Sequence, residues 1–507
     1  MTVQPAGPGS GTTARPEPAP GTTTVPAAAP GATAVPDLVR GSGAALAAAA
    51  VGGSTASVAF DGGDAGDGPL TWGQRAIWQA IESTAPDDHY FTFGRILPVP
   101  GTRTVEQLLA ALAALVERHG SLRTRLGTGR EPYQRLAARG RLEVTVTTGD
   151  PDEVLGELAA ARFDYAGEWP VRAALVLTGD RVSHVVLAFC HLATDGHGAE
   201  VVLRDLRVLL LRGRAPGPPT PQPLDLARRQ AGPEGRRVAE QAAAHWAGEY
   251  GRLPATMFDV PTSDVPTSDA AGGGAAGGGA AGGGAAGGGA AGDGAADPPI
   301  WRALLRSPAL DLAVRSIAAA HRTSTSTVLL TAVAALVGGF TGHERVAVLP
   351  IVANRFRRDT RGIVSTLSQE GLFALDVGGP FTDLLRAAGP AALRAYRSAY
   401  HDPADRDRIT AAESARRGLP VSPRCCFNDL RFADPGPATC PPGEVLAALA
   451  QTSLSWPMSQ DKLNCRFCVH VSAGGVSLTA DTRYLSRADM ERYLRSLEAL
   501  LVEAAVG

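Results

Sequence analysis

Apolar residues recur along this chain in two rhythms. Over Gln107–Glu117 and Ala309–Ala319 they return every three or four positions, which predicts helices with one buried face. The same spacing links Ala199, Val202, Leu203, Leu206 and Leu209. Val144–Thr147, Val171–Leu177 and Val182–Phe189 are short apolar runs rich in β-branched residues and read as strands. Val328–Val337 is apolar enough for a buried helix and leads into a strand at Val346–Ile351. Leu463–Val471 alternates as a strand does, and Arg487–Leu501 reads as a terminal helix. Strands interleaved with helices in this order argue for α/β lobes.

Two segments carry neither rhythm. Residues 1–67 are mostly Ala, Gly, Pro and Thr, too poor in large apolar side chains to offset the entropy of ordering, and are expected to form a disordered tail. Its Ala-rich stretch, Ala44–Val51, is too short and too weakly hydrophobic to span a membrane, and no basic region precedes a signal-peptide core. Residues 256–297 read as a low-complexity linker, with Val-Pro-Thr-Ser-Asp duplicated at 260–269 and Ala-Ala-Gly-Gly-Gly units between Ala270 and Gly292. The two lobes are then 68–255 and 298–507.

Composition narrows the function classes. The formal charge of the 507 residues is −2, without a strong basic block, which argues against nucleic acid and against a membrane surface as partners. Lys462 is the single lysine among many arginines, a bias that, with abundant Ala, Gly and Pro, suggests a GC-rich genome. Six cysteines lie scattered, and reduced thiols in a cytoplasm are the expectation. Cys465 and Cys468 have zinc-knuckle spacing, but no matching second pair follows, so both read as strand residues and no metal is expected.

The chemistry concentrates in Phe189-Cys190-His191-Leu192-Ala193-Thr194-Asp195-Gly196, which puts an imidazole at the end of a buried strand and a carboxylate past a turn that Gly196 eases. Cys190 and His191 point to opposite faces, so they make a poor thiol dyad and, with Asp195 and His197, a poor zinc site. One reading is a structural His followed by an Asp that caps the next helix. The other is an active-site imidazole that the carboxylate orients.

The surrounding motifs bear on that choice. CHLATDG (Cys190–Gly196) resembles the HHxxxDG signature of the condensation-domain superfamily of nonribosomal peptide synthesis, with Cys190 in place of the first His and His191 in place of the second. PLTWGQRAIWQA (Pro69–Ala80) is similar to the opening segment of that family, and ERHGSLRTRL (Glu117–Leu126) to its second motif. FDYAGEWPVRAALV (Phe163–Val176) and TGHERVAVLPIVANR (Thr341–Arg355) match in order and spacing. Departures gather in the second half: GIVSTLSQEGLFALDV (Gly362–Val377) lacks the Asn-Thr pair, little of the His-Gln-Asp motif remains at Tyr400-His401-Asp402, and CCFNDLR (Cys425–Arg431) is only distantly similar to the late Phe-Asn strand.

The resemblance implies two chloramphenicol-acetyltransferase-like lobes forming a V-shaped pseudodimer around a central tunnel, with His191 midway. It implies a freestanding acyltransferase of secondary metabolism joining an acyl or aminoacyl thioester to an amine or hydroxyl acceptor. The chain itself would bind no cofactor, because the thioester rides on the phosphopantetheine of a carrier protein supplied in trans. His191 would be the base, Gly196 would offer a backbone N–H to the oxyanion, and Asp195 would pair with Arg123 or Arg355, between which the motifs do not choose. The alternative is a catalytically degenerate module that recruits a carrier or partner enzyme, as the missing first His and the altered second half suggest. Trp72, Trp78, Trp246 and Trp301 are expected to pack the core and the lobes.

Overall fold

The computed structural model describes residues 35–36, 53–215, 217, 220–258, 284–285, 298–358, 360–432, 434–460 and 466–507. The first lobe runs β1 (Gly53–Asp61), β2 (Gly66–Pro69), α1 (Trp72–Thr84), β3 (Thr92–Pro98), α2 (Val105–Arg118), β4 (Thr124–Gly127), β5 (Tyr133–Leu136), β6 (Arg139–Thr147), α3 (Pro151–Ala160), β7 (Val171–Thr178), β8 (Arg181–Cys190) and α4 (Gly196–Arg212). Five strands form one sheet in the order β1-β6-β7-β8-β3, and β2-β5-β4 form a small second one. Only β6 and β7 are parallel neighbours in the large sheet, and α3 is the crossover such a pair requires. The helices start where capping chemistry allows. Thr71 and Gln74 form a reciprocal cap on α1, and Thr104 and Gln107 do the same for α2.

Helices α5 (Pro223–Ala231) and α6 (Pro233–Tyr250) lead to the second lobe. There follow β9 (Ile300–Arg306), α7 (Pro308–Ala320), α8 (Thr325–Thr341), β10 (Arg345–Val352), β11 (Gln369–Glu370), β12 (Phe373–Asp376), α9 (Phe381–Ser398), α10 (Pro403–Arg417), β13 (Cys425–Asp429), α11 (Pro442–Ala448), β14 (Ser453–Gln460), β15 (Phe467–Ser472), β16 (Gly475–Asp481) and α12 (Arg487–Val506). An eight-stranded sheet has the order β11-β10-β13-β15-β16-β9-β14, with β12 also paired to β10. Its apolar face packs against α7, α8 and α12, which bury Val314, Val333 and Leu497 against it. Among the described residues no single helix is long and apolar enough to cross a membrane.

Several expectations need correction. The tail was expected to reach residue 67, yet Gly53–Asp61 pairs along its whole length with β6, and Phe60 enters the first core. Two large side chains, Val58 and Phe60, among small residues are enough for an edge strand whose stability comes from its neighbour. Residues 1–34 and 37–52, and nearly all of the 256–297 linker, lie outside the described residues. The lobe boundary at 255 also moves, because Trp246, Tyr250, Leu253, Met257 and Phe258 pack in the core of the second lobe. The alternating run shortens to Phe467–Ser472, and Cys465 lies outside the described residues. Cys426 and Cys468 stand opposite each other on β13 and β15, with Cα atoms 4.4 Å apart, and are joined by a disulfide rather than reduced. Only strand register, which composition does not reveal, brings them together. The four tryptophans are packing residues: Trp72 meets Tyr400, Trp78 meets Tyr165, Trp246 sits in the second core and Trp301 meets Trp456.

Candidate functional site

Strand β8 is buried from Val185 to Cys190, so its end lies in the interior and the next residue, His191, emerges there. His191 is 5% exposed. Its ring stands edge-on to Phe93, with centroids 5.4 Å apart, and more distantly to Phe91. From the second lobe, Thr366 Oγ1 lies 3.3 Å from His191 Nδ1 and donates to the His191 backbone carbonyl. A hydroxyl has one proton. With that proton on the carbonyl, Oγ1 accepts from Nδ1–H, which assigns the basic nitrogen of the neutral ring to Nε2.

Asp195 plays another part. It caps α4, accepting from the Gly198 backbone N–H at 2.8 Å. Its second oxygen receives Arg355 Nη1 at 2.8 Å, the N–H groups of Leu367 and Ser368 at 3.0 Å each, and the Ser368 hydroxyl at 2.9 Å. The expected contact of this carboxylate with His191 is not made, because every oxygen is committed to these groups. Burial pushes the carboxyl pKa up, but the Arg355 charge and the hydrogen bonds outweigh it and hold Asp195 below the usual carboxylate range.

Of the two arginines proposed for Asp195, Arg355 makes the pair. It also donates to the carbonyls of Ile363 and Ser365, at 3.3 and 3.0 Å. Arg123 instead pairs with Asp64 and donates to the Ala137 carbonyl in the first lobe. Arg118 and His119, the pair before it, hold the buried Asp205 of α4 at 2.9 and 3.2 Å, which gives the second motif a packing role. The Asp195–Arg355 pair therefore grips the 363–368 loop from both sides, and that loop carries Thr366 to the imidazole.

Gly196 needs correction as a turn glycine: it does not lie in the left-handed region, and a side chain there would instead reach Phe432, whose ring also meets His197 at 4.9 Å. Cys190 turns away from His191 into an apolar cluster with Leu70, Ile77 and Phe163, and burial pushes its thiol up to about 12. Sequence reasoning missed two residues. Thr366 sits where the family pair Asn-Thr was found wanting, and its Thr is in fact present beside Ser365. Gly73 lets the start of α1 lie against the loop, since a Cβ there would fall 2.2 Å from the Thr366 carbonyl oxygen.

Residues 65–271 match the family model described as Condensation domain. The chain is 32% identical over 163 residues to CymA of Salinispora arenicola (strain CNS-205), a probable nonribosomal peptide synthetase, a match covering 31% of this chain and 2% of CymA. The chain spans 2% to 15% of the length of three synthetases it matches. Among solved structures, the condensation domain that mediates chain release from the enacyloxin polyketide synthase superposes with a TM-score of 0.62 at 17% identity, covering 86% of this chain and 83% of that one. SgcC5 from Streptomyces globisporus gives 0.60 at 18% identity, covering 86% and 98%. The fold is thus the pair of chloramphenicol-acetyltransferase-like lobes of condensation domains. The family match over residues 65–271 and this fold together support a place for the chain in the condensation-domain superfamily of nonribosomal peptide synthesis.

Proposed function

We propose that this chain is a condensation-type acyltransferase that joins a carrier-bound acyl or aminoacyl thioester to an amine, or to a hydroxyl, in the biosynthesis of a secondary metabolite. The carrier acts in trans, and its phosphopantetheine arm brings the thioester to His191. The acceptor nitrogen attacks the thioester carbonyl, His191 Nε2 takes the proton that the nitrogen must lose, and the carrier thiolate leaves and is protonated as the amide forms. Gly196, the first residue of α4, is the proposed source of a backbone N–H toward the oxyanion. Asp195, Arg355 and Thr366 position the imidazole and touch no reacting atom.

The observation that supports this reading is the Thr366 contact at His191 Nδ1, which favours the other ring nitrogen for the role of base. An imidazole kept only for packing has no need of a defined tautomer. The recruiting alternative draws on Cys190 and on how little of His191 is exposed.

The test mixes the protein with acyl-loaded carrier proteins from the same gene neighbourhood and a panel of amines and alcohols, and follows carrier unloading and product by intact mass. His191→Ala should keep the parent melting temperature and lose about 100-fold or more in rate. Carriers that bind but are unloaded no faster by the parent than by His191→Ala would establish the recruiting module instead.

A further inference from the structure

Strand β8 ends in a reverse turn rather than in more ladder. The Ala193 N–H closes on the Cys190 carbonyl at 2.9 Å, which makes His191 and Leu192 its two central residues. That closure leaves the carbonyls of residues 191, 192 and 193 outside the sheet, in buried chain where an unmet carbonyl is costly. Each is met by a side chain from a different part of the sequence. Thr366 Oγ1 donates to the His191 carbonyl, Gln74 Nε2 to that of Leu192 at 3.4 Å, and Ser121 Oγ to that of Ala193.

The two first-lobe donors are themselves held. Ser121 lies in the short turn Gly120–Arg123, between His119, which grips Asp205 of α4, and Arg123, which is tied to Asp64 and the Ala137 carbonyl. Gln74 shares the reciprocal cap of α1 with Thr71, and its Nε2 also reaches Gln134 Oε1 at 3.4 Å. Ser121 is 1% exposed and Gln74 3%, so water does not compete for either bond. Both residues belong to the two motifs of the first lobe whose part at the site was otherwise confined to packing.

Packing alone does not hold the turn on this side. A cavity of about 20 Å³, enough for about one water, has Cys190, Leu192 and Ala193 in its lining together with Gln74 and Ser121. His191 does not line it, so it opens on the side of the turn away from the ring. Close-packed atoms resist displacement and an empty space does not. Without its two side-chain donors the turn is free to retreat into that space. A retreat draws the His191 carbonyl off Thr366 Oγ1, the same atom that faces Nδ1 of the ring.

We propose that Ser121 and Gln74 are positioning residues for His191: by holding the Ala193 and Leu192 carbonyls they fix the turn, and through it the tautomer and reach of the imidazole. Neither touches a reacting atom. The kinetic consequence rests on the transferase reading above, whereas the consequence for the ring rests on the geometry of the turn.

The experiment follows turnover and the ring-nitrogen chemical shifts of His191 in the full chain, the His191 signals being those lost in His191→Ala. The parent should show one tautomer, with the proton on Nδ1. In Ser121→Ala, and separately in Gln74→Met, the shifts should move toward the tautomer mixture of a free imidazole, with kcat lower by about 10-fold and KM within about 2-fold of the parent. Thr331→Val, which takes a buried hydroxyl off the Thr327 carbonyl in α8, controls for general loss of stability and should alter neither. On the His191→Ala background Ser121→Ala should cost nothing further, because a positioning residue acts only through the group it positions. A single tautomer retained in Ser121→Ala, an equal change in Thr331→Val, or a further loss on His191→Ala overturns the proposal. Should Ser121→Ala not fold, Gln74→Met decides by the same readouts. If no acceptor is acylated, the transferase reading fails and the ring shifts decide alone: a tautomer lost with the Ser121 hydroxyl upholds the positioning role, and an unmoved one overturns it.

Discussion

Replacing Asp195 with alanine removes five interactions at once: the ion pair with Arg355, the cap on α4 and the three bonds from Leu367 and Ser368. Breaking one member of a buried pair costs about 3–5 kcal/mol because the partner charge stays behind unpaired. Loss of the cap adds about 1 kcal/mol. The orphaned loop donors overlap with the first figure, so the total is about 5 kcal/mol, a third or more of the stability of an ordinary domain. For a lobe of this size that is a fall of about 10–20 °C in melting temperature. Calorimetry of the parent, Asp195→Ala, Arg355→Ala and the double variant measures it, and the double should lose far less than the sum, since no charge is then left alone. The effect also has a pH signature. A carboxyl depressed in the folded state contributes stability above its unfolded value, near 3.8, and loses it as pH falls toward the folded value. The gap between parent and Asp195→Ala should therefore be constant from pH 7 to about 5 and narrow below about 4. Additive losses, or an Asp195→Ala protein as stable as the parent yet inactive, would refute the clasp and make Asp195 a direct participant in the chemistry.

Three further outcomes follow from the same geometry. Thr366→Val keeps the shape and removes the tautomer-fixing hydroxyl, so the rate should fall by about 10-fold with a shifted pH profile, and Thr366→Ser should restore both; a flat response removes Thr366 from the positioning of His191. Gly73→Ala drives a methyl into the Thr366 carbonyl and should cost about 1–3 kcal/mol together with activity, as overpacking does; full activity would show that α1 and the loop move apart freely. Alkylation of the unfolded protein without reductant should leave Cys426 and Cys468 unlabelled while Cys190, Cys425 and Cys440 react, and reductant should expose the pair; labelling of Cys426 and Cys468 from the start would refute that bond.

What could be read from the sequence was local. The helix at Gln107–Glu117 and the strand at Val182–Phe189 declare themselves by period, and both lie inside elements of the structure. His191 and Asp195 are found from four residues' spacing at the end of that strand. Their division of labour is not, because it is decided 160 to 175 residues away, by Arg355 and Thr366. Arg123 was as good a candidate as Arg355 on motif grounds; only the packing of β2 and the 62–64 turn, which engages Arg123 through Asp64, separates them. Phe60 was missed for a different reason: two large residues, Val58 and Phe60, among alanines and serines are too few to declare a strand, which exists by virtue of β6.

The clasp of Asp195, Arg355 and the 363–368 loop crosses between the lobes at the same place as the imidazole. It is one of several fastenings: Trp72 packs on Tyr400, Arg75 pairs with Asp402 and Phe432 meets His197. With the clasp beside the imidazole and these contacts around it, a substitution that loosens the seam between the lobes disturbs the ring's alignment as well as stability, so the two losses should travel together.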